Sequence, residues 1–390
     1  MKDIYLDNAA TTQLDERVLA EMMLHFKEYY GNPSSVHKAG RDAKVLLEEA
    51  RDIIAAFIGA RPSELYFTSG GTEANNFAIK GMAFHQLEFT PDGEEKRKYH
   101  IVSTEIEHSA VIDTLEYLKN RFGFEITYLN TNKFGEIDLD MLNDSVTEDT
   151  FLICAMHSNN ELGVINNIAQ ISQIAKQKDV LLHTDSVQSI GKVHFNVNEL
   201  FCDTATLSAH KIYGPKGIGA LYIRKYTPLD KFIHGGKQER DRRGGTENIA
   251  AIAGFKKAVE LLKKEMNSDI DKYKLLKRKL IYLLKENFGE KVIINSLEKE
   301  NSLHNIVNIS FDRSKVKIDP DTLLIKLDLK GIAISSGSAC TSGSIQPSHV
   351  LKSIGYDDAT AKSSLRISFG RLNSESDLDY LIDAMKSIIQ

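Results

Sequence analysis

The stretch Leu207-Ser208-Ala209-His210-Lys211 places a lysine directly after an apolar strand candidate. Upstream, Asp185 stands at the end of another strand candidate. A lysine amine can form a Schiff base with the aldehyde of pyridoxal phosphate (PLP), and a carboxylate can pair with the pyridine nitrogen of that cofactor. Because lysine and aspartate are common and mostly exposed, such a pair alone is more often an ordinary solvated one. The residues around the pair decide between the two interpretations.

Length and composition favour an enzyme of small molecules. The chain has 390 residues, 42% of them hydrophobic and 26% charged, with a formal net charge of -5. A chain of this length is expected to form about two domains. Because its mild acidity gives no general attraction to nucleic acid or anionic lipid, we expect no direct nucleic-acid binding and no membrane binding.

The cysteines and the N-terminus indicate a cytoplasmic protein. Cys154, Cys202 and Cys340 are too few and too scattered for a disulfide framework or a four-ligand zinc site, so no metal is expected. The N-terminus has no long apolar core, and no stretch approaches the roughly 18 apolar residues that span a bilayer. We therefore predict a soluble protein in a reducing cytoplasm.

Short apolar runs alternate with helix-like stretches through the first two thirds of the chain. Two such helix-like stretches are Asp138–Ser145 and Ile168–Gln177. This alternation predicts an α/β fold whose mainly parallel sheet is covered on both faces. The strand candidates are Glu64–Thr68, His100–Thr104, Glu125–Leu129, Phe151–Met156, Val180–Asp185, Thr204–Ser208 and Gly219–Ile223.

The C-terminal third has a different pattern. From Ile249 to about Asn287 the apolar residues follow helical spacing, which could form a hinge between two domains. Strand candidates then resume at Ile306–Ser310 and Gly331–Ser335, and an amphipathic helix, Glu375–Ile389, ends the chain. We predict a large α/β domain over 16–255, and a smaller α+β domain formed by 1–15 with 256–390.

A glycine turn between a strand and a helix could bind a phosphate. In Thr68-Ser69-Gly70-Gly71-Thr72-Glu73-Ala74-Asn75, Gly71 lets the backbone approach closely, and free N–H groups at the helix start attract one anion. A plain tight turn with Thr72 as the N-cap is about equally probable. No dinucleotide or P-loop pattern is present at this turn, which disfavours both ligand types.

Three polar residues follow other strand ends. His108 could stack on a bound ring and exchange protons, although a lone histidine at such a junction is more often structural. Asn159 and Gln188 could bind ring substituents or a carboxylate, although residues of this kind more often cap a loop. Ligands bind beyond the carboxyl ends of strands in open parallel sheets, and these residues share that location with Asp185 and Lys211.

Two residues in the C-terminal third could act on a substrate. Cys340 lies in a run of small residues with no apolar partner for a buried thiol, which suits an exposed nucleophile. Cys154 and Cys202 resemble buried structural thiols. Arg366 interrupts a strand-like run, where its guanidinium could bind a carboxylate through two parallel hydrogen bonds or form a structural ion pair.

Taken together, these motifs resemble the cysteine desulfurases of the NifS/IscS type, in the class V aminotransferase family with PLP-dependent transferase fold type I. The resemblance covers nearly the whole chain. Its motifs are Tyr5 to Thr12, Asn32 to His37, the Thr72 turn, Glu107-His108, Asn159 to Gly163, Asp185 to Gln188, Ser208 to Lys211, Arg243 to Asn248, the Cys340 loop and Ser364 to Arg366.

The resemblance implies a role for each motif residue. It implies that Lys211 binds PLP, that Asp185 and Gln188 contact its pyridine nitrogen and phenolic oxygen, and that His108 stacks on its ring. The phosphate would lie with Gly71, Thr72, Ser208 and His210, and with Thr246 of the partner subunit in a homodimer. Arg366 and Asn159 would bind the carboxylate of the substrate, L-cysteine. Cys340 would attack the substrate sulfur, become a persulfide and release alanine.

The resemblance leaves several alternatives open. The persulfide would pass to an acceptor protein, either an iron–sulfur scaffold or an enzyme of tRNA or cofactor thiolation. Other class V reactions remain possible, namely selenocysteine lysis, transamination or kynureninase-like cleavage, although transamination needs no second nucleophile such as Cys340. A PLP-fold scaffold without activity is the non-enzymatic alternative, and the intact set of candidate residues disfavours it.

Overall fold

The structure is a computed structural model that describes residues 3–87, 98–316, 318–336 and 346–389. The strands are β1 Ile4–Tyr5, β2 Leu65–Thr68, β3 His100–Thr104, β4 Glu125–Leu129, β5 Thr150–Cys154, β6 Leu181–Asp185, β7 Thr204–Ser208, β8 Gly219–Ile223, β9 Val292–Ile294, β10 Ile306–Phe311, β11 Ile332–Ala333 and β12 Leu365–Ser368. The α-helices are α1 Glu16–Lys27, α2 Lys38–Phe57, α3 Gly71–Leu87, α4 Ser109–Phe122, α5 Leu139–Ser145, α6 Ile168–Gln177, α7 Val197–Leu200, α8 Ile249–Phe288, α9 Pro320–Asp328, α10 His349–Ser353, α11 Asp358–Lys362 and α12 Glu375–Ile388.

A seven-stranded sheet forms the centre of the larger part of the molecule. Its strand order is β2-β8-β7-β6-β5-β3-β4. The pairs from β4 to β7 are parallel, whereas β8 pairs antiparallel with both β7 and β2. The predicted α/β fold with a mainly parallel seven-stranded sheet is therefore confirmed.

Apolar residues on the two faces of this sheet belong to two separate cores. Phe67 and Ile153 face a core that includes α1, α2, α6 and the first part of α8. Tyr66, Leu152 and Cys154 face a core that includes α3 and α4. Successive side chains of a strand point to opposite faces, so the continuous apolar runs of these strands bury both faces.

The C-terminal part builds a third core around a smaller sheet. This antiparallel sheet has the order β12-β10-β9, and β1 pairs with β11 in a separate two-stranded parallel sheet. The third core takes in Ile4 and Leu6 from the N-terminus and the part of α8 from Tyr273 onwards. We propose that the domain boundary lies within α8, where the helix passes from one core to the other, and that the N-terminal strand belongs with the C-terminal domain.

Two predicted strands end early in the structure, whereas the strands predicted from Glu64, Val180 and Ile306 differ by one residue at one end. The strand predicted at Phe151–Met156 ends at Cys154, because the backbone N–H of Met156 turns to a Glu107 carboxylate oxygen at 2.7 Å. The strand predicted at Gly331–Ser335 is reduced to Ile332–Ala333, and Ser335 pairs with Arg366 as an isolated bridge. Beyond Cys154 the backbone still bonds to β6 through the N–H groups of Ala155 and His157, so only Met156 turns away to Glu107.

Within the described ranges, none of the helices combines the length and apolar character needed to cross a bilayer.

Candidate active site

The carboxyl ends of the strands collect the predicted residues at one edge of the large sheet. Strands β3, β5, β6 and β7 are mutually parallel, so their carboxyl ends point the same way. His108 follows β3, Asn159 follows β5, Asp185 ends β6 and Lys211 follows β7. The topology therefore brings these residues to one edge, where open α/β sheets bind ligands.

Lys211 lies in a 3-10 turn, Ala209–Lys211, that directly follows β7. Its Nζ donates to the carbonyl oxygens of Ala9 at 2.6 Å and Ala10 at 2.7 Å. Burial, and then the nearby positive charge of Arg366, lower the pKa of the Lys211 amine to about 8, against the opposing effect of Asp185. A substantial fraction of this amine is therefore neutral, and nucleophilic, near physiological pH.

The N-terminal segment 9–12 wraps around this turn, a role that the sequence pattern did not reveal. The N–H and hydroxyl of Thr12 both donate to the carbonyl of His210 at 2.9 Å, and Gln188 Nε2 donates to Ala9 O at 2.9 Å. The ring of His210 lies 3.2 Å from the Thr11 hydroxyl, and burial lowers its pKa to about 4. His210 is therefore neutral. For segment 9–12, the sequence indicated a place in the site only through the family resemblance at Tyr5 to Thr12.

Asp185 is buried and receives two hydrogen bonds. Asn75 Nδ2 donates to Oδ2 at 2.7 Å, and the backbone N–H of Val187 donates to Oδ1 at 3.0 Å. The side chain is thus fixed at the end of β6, with 6% of the residue exposed. Sequence reasoning missed Asn75, because its helical position alone gave no sign that it faces β6.

His108 is the N-cap of α4, and its Nδ1 accepts from the backbone N–H of Ala110 at 3.0 Å. Burial lowers the pKa of this imidazole, with Asp185 raising it and Lys211 lowering it in turn. The ring is accessible to solvent, yet the surrounding protein displaces enough water to favour the neutral form. With Nδ1 accepting, neutral His108 carries its hydrogen on Nε2.

The glycine turn packs directly against the end of β6. Helix α3 begins at Gly71, so Thr72 lies inside the first turn and is not the N-cap. A Cβ added at Gly71 would come within 2.9 Å of Val187 Cγ2, so only glycine permits this approach without displacement. Glu73 accepts from the backbone N–H of Ser69 at 2.9 Å and pairs with Arg243 at 2.9 Å.

Arg366 realises the structural ion pair that was one of its two interpretations. Its Nη2 donates to Asp7 Oδ1 and to Ser335 Oγ, both at 2.9 Å, and its Nη1 donates to the carbonyl of Asn160 at 3.1 Å. The Nε atom is buried and has no partner among the residues described. The same guanidinium acts electrostatically on Lys211, which places it in the site.

Asn159 is fully buried, and its amide is committed to the protein. Its Oδ1 accepts from the N–H groups of Glu161 and Leu162 at 2.8 Å, and its Nδ2 donates to Ile106 O at 2.9 Å. Without substrate, this amide is bonded to the protein, and its contact with a substrate carboxylate stays a prediction. The neighbouring Asn160 is the partly exposed member of the pair.

Unsatisfied buried polar atoms provide a test of whether PLP fits. The hydroxyl of Ser208 and the Oε1 of Gln188 are buried and lack a hydrogen-bond partner in the described part of the chain. Unpaired buried polar groups are costly unless a ligand or water satisfies them. The Ser208 hydroxyl can donate to a phosphate oxygen, and together with Asp185 and the Gly71 turn it matches groups that PLP requires. The Gln188 oxygen only accepts, so it needs a donor other than the phenolic oxygen.

The remaining predicted residues differ in what the structure describes. Cys340 lies outside the described residues. Cys154 and Cys202 are fully buried, and burial raises the pKa of both thiols, that of Cys202 to about 12, so neither suits nucleophilic attack. Thr246 is exposed, three residues after Arg243 in the segment that pairs with Glu73.

Comparison with known proteins identifies the family. The family model for aminotransferase class-V matches residues 4–381. This chain belongs to that family. The cysteine desulfurase IscS of Dictyoglomus turgidum is 43% identical over 389 residues, which cover 100% of this chain and 95% of the relative. The IscS of Methanosarcina thermophila is 42% identical over 390 residues, covering 100% and 92%.

Solved structures agree with this assignment. A NifS-like protein superposes with a TM-score of 0.89 at 38% identity and covers 99% of both chains. SspA in complex with cysteine superposes with a TM-score of 0.80 at 35% identity, covering 94% of this chain and 98% of the other. The predicted resemblance to NifS/IscS-type cysteine desulfurases and the predicted PLP-dependent transferase fold type I are both confirmed.

Proposed function

We propose that this chain is a PLP-dependent cysteine desulfurase that converts L-cysteine to L-alanine and receives the sulfur on Cys340 as a persulfide. The observation that carries this proposal is the convergence of Lys211, Asp185 and His108 at one edge of the large sheet, with the Arg366 guanidinium of β12 close enough to act on Lys211. The full-length similarity to IscS and NifS-like proteins supports the same activity. The SspA structure, which contains cysteine, supports cysteine as the substrate.

PLP would be held by residues at the carboxyl ends of the strands. Lys211 would form the covalent bond, Asp185 would face the pyridine nitrogen, and the second N–H of the Gln188 amide would face the phenolic oxygen. Gly71, Thr72, Ser208 and His210 would surround the phosphate. When bound, PLP supplies an electron-accepting ring that stabilises negative charge on the α-carbon of an amino acid.

The protein's own groups bind the substrate and move protons. Arg366 would hold the substrate carboxylate, and its buried, unpaired Nε shows that the guanidinium retains hydrogen-bonding capacity beyond its contact with Asp7. Lys211 Nζ, with a pKa of about 8, would accept and return a proton near the α-carbon. His108 would donate a proton from its Nε2 atom. Asn159, which follows β5 at the same edge of the sheet, would bind the carboxylate together with Arg366.

Sulfur transfer needs a thiolate that can reach the substrate. The Sγ of Cys340 would attack the substrate sulfur, forming an S–S bond as the carbon–sulfur bond breaks. The electron pair of the broken bond stays with the substrate carbon, which takes up a proton and leaves as part of alanine. Because the thiols of Cys154 and Cys202 are buried and protonated, Cys340 is the nucleophile that the chemistry requires.

We also propose a homodimer in which Thr246 of one subunit reaches the phosphate of the other. Its exposure supports this role, since a residue committed to its own subunit's core would be buried.

Sulfur would then pass to an acceptor protein in iron–sulfur cluster assembly or in tRNA or cofactor thiolation. We also propose a cytoplasmic location, because the free thiol that the reaction needs persists in a reducing compartment.

The activity is tested by incubating the purified holoprotein with L-cysteine and a thiol reductant. We expect alanine and sulfide in equal amounts, because each turnover produces one alanine and one persulfide that the reductant cleaves. L-Alanine in place of L-cysteine is the matched control, since it lacks the sulfur. Formation of pyruvate or of a transaminated product without sulfide would exclude the proposal.

A further inference from the structure

A line of hydrogen bonds runs beneath Asp185 through the interior of the large sheet. The Thr204 hydroxyl lies 2.9 Å from His183 Nδ1, and His183 Nε2 lies 3.0 Å from Asn75 Oδ1. The Thr206 hydroxyl lies 2.6 Å from the same Asn75 oxygen, and Asn75 Nδ2 lies 2.7 Å from Asp185 Oδ2. Asn75 is 1% exposed, and His183, Thr204 and Thr206 are 0% exposed.

The charge on Asp185 fixes the direction of every bond in this line. An ionised carboxylate only accepts hydrogen bonds, so the amide nitrogen of Asn75 must face Asp185. The amide oxygen then faces His183 and Thr206, both of which must donate. His183 therefore carries its hydrogen on Nε2, and its Nδ1 accepts from Thr204. Burial lowers the pKa of His183 to about 4, which agrees with this neutral form.

Both oxygens of the Asp185 carboxyl group face N–H donors, one from Asn75 and one from Val187. The opposite direction of the line needs several changes together: the Asn75 amide rotates, His183 moves its hydrogen to Nδ1, and the hydroxyls of Thr204 and Thr206 accept. Because these buried groups share partners, the two directions exclude each other, and the position of the hydrogen on His183 distinguishes them.

We propose that Asn75 is a positioning residue that, held by His183 and Thr206, keeps the Asp185 carboxylate oriented toward the pyridine nitrogen of the cofactor. This inference rests on the proposed function, because it assigns Asp185 to that nitrogen. Asn75 does not contact the reacting atoms and acts only through Asp185. Its effect is expected in the rate of the chemical step and in the charge state of the cofactor, and not in the binding of cysteine by Arg366.

The first test needs no substitution and no cofactor. Nitrogen-15 NMR of the apoprotein, labelled at histidine, should show His183 as the neutral form with hydrogen on Nε2, unchanged between pH 6 and pH 8 (about two units or more above its lowered pKa). A neutral His183 with hydrogen on Nδ1, or a charged ring in this range, would overturn the proposal. This result does not depend on whether the protein turns over cysteine, so it separates this inference from the proposed function.

The second test compares Asn75→Ala with Asn76→Ala in the holoprotein. Asn76 is a matched control, because it has the same side chain one position on and its amide bonds only within α3, to Thr72 O at 3.0 Å. For Asn75→Ala we expect kcat to fall about 10- to 100-fold, the range seen when an outer partner of a reactive group is removed. The KM for cysteine should stay within about twofold, because Arg366 is untouched.

The absorbance of the bound cofactor adds a readout that loss of packing would not change. In Asn75→Ala its pH titration should shift, because the Asp185 carboxylate is no longer held in the same position beside the pyridine nitrogen, whereas Asn76→Ala should match the wild type. An unshifted titration together with unchanged kcat in a folded Asn75→Ala protein would overturn the proposal. If that variant does not fold, the NMR result on the wild type decides.

Discussion

Arg366 donates a hydrogen bond to Asp7 at 2.9 Å, so the residue expected to bind the substrate carboxylate already has an anionic partner in the protein. The side chain of Ser335 completes the group by donating to the same Asp7 oxygen at 2.5 Å and accepting from Arg366. This contact holds the guanidinium in place from one side. Its Nε is buried and has no hydrogen-bond partner in the described part of the chain.

Replacement of Arg366 should therefore weaken substrate binding strongly. We expect Arg366→Ala to lower kcat/KM for L-cysteine. The loss should correspond to about 2–5 kcal/mol of binding energy, the range for breaking a buried charge pair. Arg366→Lys should recover little, because an ammonium cannot provide two parallel hydrogen bonds. Arg313→Ala, at an exposed position, is the control for a lost positive charge. Unchanged kinetics for Arg366→Ala would remove this residue from the site.

Lys211→Ala should abolish covalent attachment of PLP. Borohydride reduction of the holoprotein followed by peptide mass spectrometry should find the cofactor on Lys211 in the wild type and on no lysine in the variant. Lys192 makes this test demanding, because its Nζ lies 3.3 Å from the Lys211 carbonyl and burial lowers its pKa to about 7. Cofactor on Lys192 in the wild type would show that the wrong lysine was assigned.

The lowered pKa of Lys211 predicts the pH dependence of cofactor uptake. Only the neutral amine attacks an aldehyde, so the rate of covalent incorporation of PLP into the apoprotein should rise about tenfold per pH unit below the pKa. It should level off above about 8. Stopped-flow absorbance measures this rate directly. A rate that kept rising until the pH reached about 10.4, the ordinary pKa of a lysine, would contradict the lowered pKa of Lys211.

A buried ion pair away from the site should control stability. Arg51 and Glu239 form two hydrogen bonds at 2.7 and 2.9 Å, and each side chain is 2% exposed. Glu239→Gln should lower the free energy of unfolding of the apoprotein by about 3–5 kcal/mol, because it leaves the Arg51 charge buried without its partner.

The matched control is Glu298→Gln, which breaks an equally short pair with Lys285 at 2.6 Å where the side chains are 51% and 58% exposed. Its cost should stay below about 1 kcal/mol, since solvent screens exposed pairs. Urea denaturation monitored by circular dichroism measures both values. Equal costs for the two variants would show that burial does not decide the contribution of the Arg51 pair.

The large sheet was predictable from the sequence because its strands bury both faces. Such strands appear as short apolar runs, and His100–Thr104, Thr204–Ser208 and Gly219–Ile223 have the predicted bounds in the structure. Where a strand end depends on a distant side chain, the prediction was wrong. Strand β5 ends at Cys154, where the following Met156 bonds to the carboxyl group of Glu107, and Glu107 lies 49 positions before Met156 in the sequence.

The candidate site was predictable where a residue follows a strand, and less so where function depends on orientation. Lys211, Asp185 and His108 lie at the edge that the alternation of strands and helices implied. The full commitment of the Asn159 amide, the Asp7 contact of Arg366 and the line from Asn75 to Asp185 each join segments distant in sequence. No local pattern encodes such contacts, because they arise only when the sheet and the smaller core come together.

The proposed sulfur transfer requires Cys340 as the nucleophile, and one substitution separates this step from the binding of cysteine. Cys340→Ser should still bind PLP and cysteine, because Lys211, Asp185 and Arg366 are intact. Addition of cysteine should still change the absorbance of the bound cofactor. A serine hydroxyl is not ionised near neutral pH and attacks sulfur poorly. Cys154→Ser and Cys202→Ser are the matched controls and should stay active, with at most a packing cost.

The most direct test of the account is the release of alanine from L-cysteine by Cys340→Ser, with the persulfide followed by mass spectrometry of the intact protein. The account predicts alanine at no more than background, and no protein carrying the added mass of one sulfur atom, while the wild type shows both. Alanine release by Cys340→Ser at the wild-type rate would falsify the proposed mechanism.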